Sequence, residues 1–252
     1  LRDVMAPAIK LAEKGFSVSY SLNYEIGSRA EGLKKNVEAS KLFFKSDGSA
    51  YNIGDKWRQP DLAWTLKQIS RKGTKGFYQG EVAARIVAEM EANDGLITAE
   101  DLAAYRAIER SPVRGTYREY DIVSTGPPSS GGIHIIQMLN ILEGFDLKSM
   151  GHNSAAYLHH LTESMKLAYA DRSQYLADTA YYPTPVEKLI NKSYADLQRK
   201  RINPEHATPA ADIAPGRDLK TESMDTTHYT VADKDGNVVS NTYTLNFSFG
   251  SH

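Results

Sequence analysis

The sequence predicts an α+β protein in which a mostly helical region leads through a connector to a pair of strands. Apolar residues recur at helical spacing up to residue 202. Residues 203–225 are rich in Pro, Ala, Asp and Gly and show no periodicity, so we expect a long exposed connector. Residues 226–246 form two β-branched and aromatic runs joined by Asp-Lys-Asp-Gly-Asn, which predicts a hairpin. Helices and strands that occupy separate parts of a chain are typical of the α+β class.

Helices are predicted where apolar periodicity coincides with start and stop signals. Pro60 and Asp61 suit the first turn of a helix, and Thr98 with Asp101 resembles a capping box. The predicted helices cover 2–14, 19–35, the segment that starts at Pro60 and ends at Lys72-Gly73, 80–92, 101–107, 133–142, 154–177 and 185–202.

Two shorter segments outside these helices carry strand and turn signals. Residues 114–124 alternate like a strand pair, and they lead into a Gly, Pro and Ser-rich turn at 126–132. The Ser129-Ser130-Gly131-Gly132 part of that turn resembles an anion site at a helix N-terminus, but we favour a structural turn between a strand and a helix.

Composition narrows the function classes. The 252 residues are 41% hydrophobic and 24% charged, which is ordinary for a globular protein. Thirty basic and thirty-one acidic residues give a net charge of −1, so no electrostatic field favours nucleic acid or anionic lipid. No apolar run approaches the roughly 20 residues that a membrane span requires. The absence of cysteine excludes disulfides, thiol catalysis and Cys-ligated zinc.

Both ends of the sequence suggest a piece of a longer protein. The chain runs into helical periodicity directly after Leu1, and it stops at Ser251-His252 just after an apolar strand. We therefore expect an incomplete fold, in which some apolar helix faces pack on segments outside this chain. The lack of a signal peptide carries no information about targeting.

The predicted hairpin gathers hydroxyl groups around Thr226. Folding it about Asp235 places Thr226 opposite Thr244, and strand alternation puts Thr242, Thr244 and Asn246 on one face. A threonine at the border of a connector and a strand is where chain cleavage would expose an N-terminal nucleophile, whose own α-amine can act as base. From the residues alone, plain strand packing of a β-branched residue is the commoner explanation.

The segment from Thr226 to Asn246 resembles the start of the small subunit of γ-glutamyltransferases, also called γ-glutamyltranspeptidases or glutathione hydrolases. This family belongs to the N-terminal-nucleophile hydrolase superfamily. The resemblance covers essentially the whole chain, because three other segments look like parts of the family's large subunit: Gly95–Tyr105, Pro127–His134 and Ala168–Arg172.

The resemblance implies a role for individual residues. Thr226 matches the nucleophile, and through its α-amine the base, exposed by autocatalytic cleavage between Asp225 and Thr226. Residues 1–225 would then belong to the large subunit and 226–252 to the small one. Thr244 matches the threonine that orients the nucleophile, and Asn246 matches the asparagine that binds the α-amino end of the glutamyl group. Thr227 receives no catalytic role, and His228 is interpreted as a structural histidine of the sheet.

The resemblance also implies the fold and the partners. It implies an αββα layered sandwich, of which this chain would hold the C-terminal part of the large subunit and the first hairpin of the small one. Expected substrates are glutathione or other γ-glutamyl compounds, with water, amino acids or peptides as acceptors, and no metal or organic cofactor. The remaining large- and small-subunit segments are expected partners. Bacterial members of the family imply a periplasmic or secreted protein.

Three alternatives remain open at this stage. The family's substrate-carboxylate arginine would lie upstream of Leu1, and its serine pair, oxyanion glycines and further acidic residues beyond His252. A related cephalosporin or glutaryl acylase, or a capsule-type γ-polyglutamate depolymerase, therefore fits the same motif. The third alternative is that the chain by itself is an uncleaved, inactive fragment, which mass spectrometry would detect as a single species of 27.9 kDa.

Overall fold

Helices and antiparallel strand pairs together form the structure, as the sequence predicts. The computed structural model describes residues 1–213, 226–245 and 248–250. One compact unit comprises residues 1–107 and the described residues after 225, and the other comprises the described residues from 108 onward up to 213. Within the described residues the strands form three separate two-stranded antiparallel sheets. The predicted division into a large and a small subunit between residues 225 and 226 concerns chain cleavage and not spatial packing. It stays a prediction.

The helices and strands have the following bounds. The helices are α1 Arg2–Lys14, α2 Tyr20–Ser28, α3 Ala30–Leu33, α4 Val37–Phe43, α5 Pro60–Lys72, α6 Lys75–Tyr78, α7 Gly80–Ala92, α8 Ala99–Ala104, α9 Ser130–Leu142, α10 Leu147–Met150, α11 Ala155–Tyr175, α12 Val186–Leu189, α13 Lys192–Arg199 and α14 Ala210–Ile213. The strands are β1 Phe16–Ser17, β2 Lys56–Trp57, β3 Val113–Tyr117, β4 Tyr120–Ser124, β5 Thr226–Ala232 and β6 Val238–Thr244.

Two of the predicted helices are each broken into two. The helix predicted over 19–35 ends at Ser28, where the Ser28 hydroxyl donates to the carbonyl of Glu25, and a new helix starts after Arg29. The helix predicted over 185–202 is interrupted at Asn191, whose side chain accepts a hydrogen bond from the Ser193 amide and caps α13. Ser and Asn bond the nearby backbone, and this competes with a continuous helix.

The first unit is held by helix pairing and by a small aromatic cluster. Helix α1 packs on α5, and the β1–β2 pair joins the segments that follow α1 and precede α5. The indole of Trp57 donates to the carbonyl of Leu42 at 2.8 Å, and its ring lies 5.5 Å from that of Phe43. Phe43 also meets Phe249, with ring centroids 4.8 Å apart. This contact attaches the described residues at 248–250 to the first unit.

The second unit is built around α9, which is buried on several sides. Ile133 and Ile136 pack with Val113 of β3 and with Leu189, while Ile141 belongs to a second cluster with residues of α11 and α13. A helix that is apolar around most of its circumference belongs in a core. The sequence predicted this helix from Ile133, and the structure extends it back to Ser130, where Ser129 caps it by accepting from the Gly131 amide.

A buried carboxylate links the three main helices of the second unit. Asp171 on α11 is 8% exposed, and it accepts hydrogen bonds from Gln137 of α9 and from Tyr194 and Gln198 of α13. Burial raises the pKa of the Tyr194 phenol, and its hydrogen bond to Asp171 raises it further, so the phenol stays a donor. Asp171 thus joins α9, α11 and α13 in the core of the second unit.

Residues 203–213, the first half of the predicted connector, lie along α11. Most of them are exposed, as predicted, but they contain the short helix α14. Ile213 is buried in a cluster with Ile141 and Leu167. The connector prediction is therefore wrong in one respect, because tertiary contacts order this part of the chain. Within the described ranges, no helix combines the length and the apolar character needed to cross a membrane.

The turn between β5 and β6 is organised by a single side chain. The carboxylate of Asp233 accepts from the backbone amides of Asp235 and Asn237, both at 2.9 Å, and from the Asn237 side chain at 2.8 Å. Gly236 has a φ of +84°, a conformation that favours glycine. The hydrogen bonds from the Asn237 side chain and then from its backbone lower the pKa of Asp233. The five-residue loop is consequently held in one conformation.

The Gly131-Gly132 pair allows a matched test of packing at the start of α9. A Cβ on Gly132 would lie 2.0 Å from the Thr125 carbonyl oxygen and 2.6 Å from Val113, whereas one on Gly131 would meet only Ser129 Oγ at 3.4 Å. Gly132→Ala should therefore cost about 3 kcal/mol of stability and lower the Tm by roughly 6–12 °C. Gly131→Ala should leave the Tm unchanged or raise it, because alanine favours helix. Equal Tm values for the two variants would contradict this packing.

Asp233→Ala should loosen the β5–β6 hairpin above about pH 4. A carboxyl whose folded pKa is lowered contributes stability above its unfolded pKa of about 3.9 and loses it as the pH falls through the folded value. Hydrogen exchange of the hairpin amides should thus be faster in the variant at neutral pH, and the difference should shrink under acid. The control is Asp235→Ala, since that carboxylate contacts the exposed Lys234 side chain. Identical exchange in both variants would show that Asp233 does not organise the turn.

Candidate active site

The start of β5 faces the end of β6, as the sequence predicts. Thr226 is paired with Thr244, and the register continues through Thr227 with Tyr243 and His228 with Thr242. The loop length and the Asp233 hydrogen bonds fix this register. Paired residues in an antiparallel sheet have Cβ atoms roughly 4.5–5.5 Å apart, which is within reach of two hydroxyl groups. The predicted pairing is confirmed, while the chemical roles of the two threonines stay predictions.

One face of the hairpin carries a cluster of hydroxyl groups around an imidazole. His228 Nδ1 lies 2.6 Å from Thr242 Oγ1, and His228 Nε2 lies 3.1 Å from Ser240 Oγ. Thr230 Oγ1 is 3.1 Å from Ser240 Oγ and 3.4 Å from His228 Nε2. Both nitrogens of His228 thus have hydrogen-bond partners within the hairpin. This agrees with the structural role that the sequence favoured for His228.

Sequence reasoning gave no role to Ser240 and Thr230, which complete this hydroxyl cluster. The signal was present, because both occupy alternate positions in step with His228 and Thr242 and so share their face of the sheet. Their contact with the imidazole depends on side-chain rotamers, which strand alternation does not specify.

The opposite face of the hairpin is apolar and exposed. Tyr229 is 48% exposed, Val231 59%, Val239 62% and Tyr243 59%. These four apolar side chains share their face with Thr227 and Asn241, and clusters of exposed apolar side chains are found at interaction surfaces. The two faces of this hairpin therefore differ sharply in character.

Two of the predicted site residues lie outside the described residues. These are Asp225, on the proposed cleavage bond, and Asn246, the proposed ligand of the glutamyl amino group. For Thr226 the structure gives the backbone pairing alone.

Ser129 directly precedes α9, whereas Ser130, Gly131 and Gly132 form the first turn of that helix, so the predicted turn extends three residues too far. Strand β4 ends at Ser124, and the helix starts at Ser130 with its N-terminal amide at Gly131 bonded by Ser129 Oγ. Gly132 lets the helix approach the Thr125 carbonyl closely. Elsewhere, in the part of the chain that the structure describes, no group of three or more His, Asp or Glu side chains is placed to hold a metal ion.

Comparison with known proteins places the chain in a family. The family model described as Gamma-glutamyltranspeptidase matches residues 1–252. The chain is 46% identical over 251 residues to the glutathione hydrolase proenzyme of Escherichia coli (strain K12), which covers 100% of this chain and 43% of that protein. It is 43% identical over 252 residues to the acylase ACY 1 proenzyme of Pseudomonas sp. (strain SE83), covering 100% of this chain and 44% of the relative.

A solved structure supports the same assignment at the level of the fold. The crystal structure of Helicobacter pylori gamma-glutamyltranspeptidase superposes with a TM-score of 0.81 at 44% identity, covering 89% of this chain and 64% of the other. This similarity confirms the predicted fold class. The chain spans less than half the length of these curated relatives. It belongs to the γ-glutamyltranspeptidase family of the N-terminal-nucleophile hydrolase superfamily.

Proposed function

We propose that the whole protein transfers γ-glutamyl groups from glutathione and related γ-glutamyl amides to water or to amino acid and peptide acceptors. The observation that carries this proposal is the pairing of Thr226 with Thr244 at the first residue of β5. In a member of the γ-glutamyltranspeptidase family, this pairing brings the candidate nucleophile and the threonine that would orient it together.

Maturation would use the Thr226 hydroxyl. Its Oγ attacks the carbonyl carbon of Asp225, the peptide C–N bond breaks, and the acyl group moves to oxygen as an ester. Water hydrolyses this ester and releases Asp225 as a new carboxyl terminus and Thr226 as a new amino terminus. Residues 1–225 then belong to the large subunit and residues 226–252 to the small one.

Turnover would repeat this chemistry on a substrate. Thr226 Oγ attacks the γ-carbonyl carbon while its freed α-amine takes up the hydroxyl proton, and Thr244 orients the hydroxyl. The leaving amine departs with that proton, and a γ-glutamyl ester remains on Thr226. Water or an acceptor amine then releases the glutamyl group, so the kinetics should be ping-pong. Asn246 would bind the α-amino end of the glutamyl group.

The remaining segments of the two subunits are the proposed partners of the hairpin. The exposed apolar face formed by Tyr229, Val231, Val239 and Tyr243 supports this, because such a patch is stabilised when another element covers it. We assign the whole protein to the periplasm or the secreted fraction on its family resemblance alone.

A related acylase is the second candidate function. It is favoured by the 43% identity to the acylase ACY 1 proenzyme, which is close to the identity with the glutathione hydrolase proenzyme. The two activities differ in the acyl group, because a glutaryl group lacks the α-amine that Asn246 would bind.

Thr226→Ala should abolish both self-cleavage and turnover in the whole protein. Without the hydroxyl there is no nucleophile for either reaction, so release of a chromogenic amine from a γ-glutamyl anilide should fall by at least about 10⁴-fold. Mass spectrometry should find the wild type split before Thr226 and the variant intact.

Thr227→Ala is the matched control, since Thr227 lies next to Thr226 on the opposite face of β5. That variant should still split at the same bond. Turnover by Thr226→Ala at the wild-type rate would disprove the nucleophile assignment.

Thr244→Ala should slow self-cleavage and turnover together, by roughly 10- to 100-fold, because one hydrogen bond that orients the nucleophile is lost. Thr230→Ala removes a hydroxyl from the same face farther along the hairpin, and should change both rates much less. Normal maturation of Thr244→Ala would remove the orienting role.

Asn246→Ala should separate the two candidate functions. If the protein transfers γ-glutamyl groups, kcat/KM for a γ-glutamyl anilide should fall by roughly 10- to 100-fold, while that for a glutaryl anilide should change little. A wild type that prefers the glutaryl anilide would favour the acylase.

A further inference from the structure

One side of α11 holds the main chain of residues 203–208. His159, Glu163 and Lys166 are spaced four and three residues apart, so they share one helix face. His159 Nε2 lies 2.7 Å from the carbonyl oxygen of Asn203. Lys166 Nζ donates to the carbonyl of Thr208 at 2.9 Å, and the Thr208 amide donates to Glu163 Oε2 at 3.3 Å. We call Glu163, Lys166 and the main chain of Thr208 the connector clasp.

The connector clasp is partly removed from water. The Glu163 side chain is 2% exposed and that of Lys166 is 26% exposed, and the two form an ion pair at 2.5 Å. Burial alone would raise the pKa of Glu163, but the hydrogen bonds from Lys166 and Thr208 outweigh it and hold the pKa below its usual value. Glu163 therefore stays charged near neutral pH. Removing one partner of such a buried pair lowers the free energy of unfolding far more than breaking an exposed pair does.

The clasp is followed at once by a second attachment. Helix α14 begins at Ala210, and Ile213 at its end is buried against Leu167 and Ala170 of α11. Side chains of α11 thus hold this segment at two points, the backbone of Thr208 and the side chain of Ile213. They fix the position of the chain at Ile213, thirteen residues before Thr226 in the sequence.

We propose that the connector clasp positions the large-subunit end of the connector for self-cleavage before Thr226. Glu163 and Lys166 are positioning residues in this proposal, since they act through the main chain of Thr208. The inference rests on the proposed self-cleavage and adds to it residues on α11 that are remote in sequence from the cleaved bond.

The clasp limits the conformations of residues 203–213, which precede the proposed cleavage bond in sequence. Because α14 begins two residues after Thr208, opening the clasp should also free Ile213. Re-ordering even one freed residue lowers the fraction of molecules in a cleavable arrangement by roughly threefold or more. Opening the clasp should therefore slow self-cleavage by at least about threefold.

The test compares variants of the whole protein, measured well below the lowest Tm of the set. Lys166→Met removes the ion pair and the bond to Thr208 while it keeps the aliphatic stem. The double variant Glu163→Gln with Lys166→Met avoids an unpaired buried charge. Lys166→Arg keeps the cation and its donors. Lys41→Met is the matched control, because it breaks an ion pair of the same i,i+3 spacing whose two side chains are 67% and 68% exposed.

Three readouts decide the outcome: hydrogen exchange over residues 203–213, the self-cleavage rate by mass spectrometry, and kcat/KM of the fully cleaved enzyme. In Lys166→Met and in the double variant, exchange should accelerate and cleavage should slow by at least about threefold. The kcat/KM of the cleaved enzyme should stay unchanged. Lys166→Arg should recover most of the cleavage rate, and Lys41→Met should match the wild type in all three.

Two results would overturn the proposal. Faster exchange with an unchanged cleavage rate would show that the clasp is merely structural, and unchanged exchange would show that it does not hold the segment. A wild type that never splits before Thr226 would instead refute the proposed self-cleavage, and the positioning role with it.

Discussion

The register of the β5–β6 hairpin is the constraint on which every chemical role proposed for this chain depends. Strand side chains alternate between two faces, so a slip by one residue would move Thr244 to the face opposite Thr226. Asp233 opposes such a slip, because its carboxylate binds two amides and one side chain of the loop at once. A turn far from the reacting atoms thus sets which hydroxyl groups meet.

The hairpin could be predicted from the sequence because its determinants are local. The loop sequence, the β-branched runs and the two-residue period all lie within 226–246, and the pairing of Thr226 with Thr244 follows from counting. The capping box at Thr98 and the start of α5 at Pro60 were predictable for the same reason. The break at Asn191 and the course of residues 203–213 were not, since both depend on competing hydrogen bonds and on contacts with distant residues such as Glu163.

For the candidate site, the geometry could be predicted from the residues, but the chemical roles could not. The residues alone bring Thr226 and Thr244 together, but only the family resemblance distinguishes a nucleophile from a β-branched residue that packs in a strand. His228 illustrates the difference. A histidine two residues from a candidate nucleophile invites assignment as a base, yet both of its ring nitrogens face hydroxyl groups of β6. The α-amine that cleavage would release at Thr226 makes a second base unnecessary.

The buried carboxylate of Asp171 has a consequence for how this family can vary. It receives hydrogen bonds from Gln137, Tyr194 and Gln198, donors that lie on two helices other than its own. Loss of one donor leaves a buried oxygen of Asp171 short of a hydrogen bond. Replacing Asp171 and its three donors together by apolar residues leaves no buried polar group to satisfy. These four positions should therefore change together through evolution or stay fixed. In an alignment of the family, substitutions at these positions on α9, α11 and α13 should therefore be correlated.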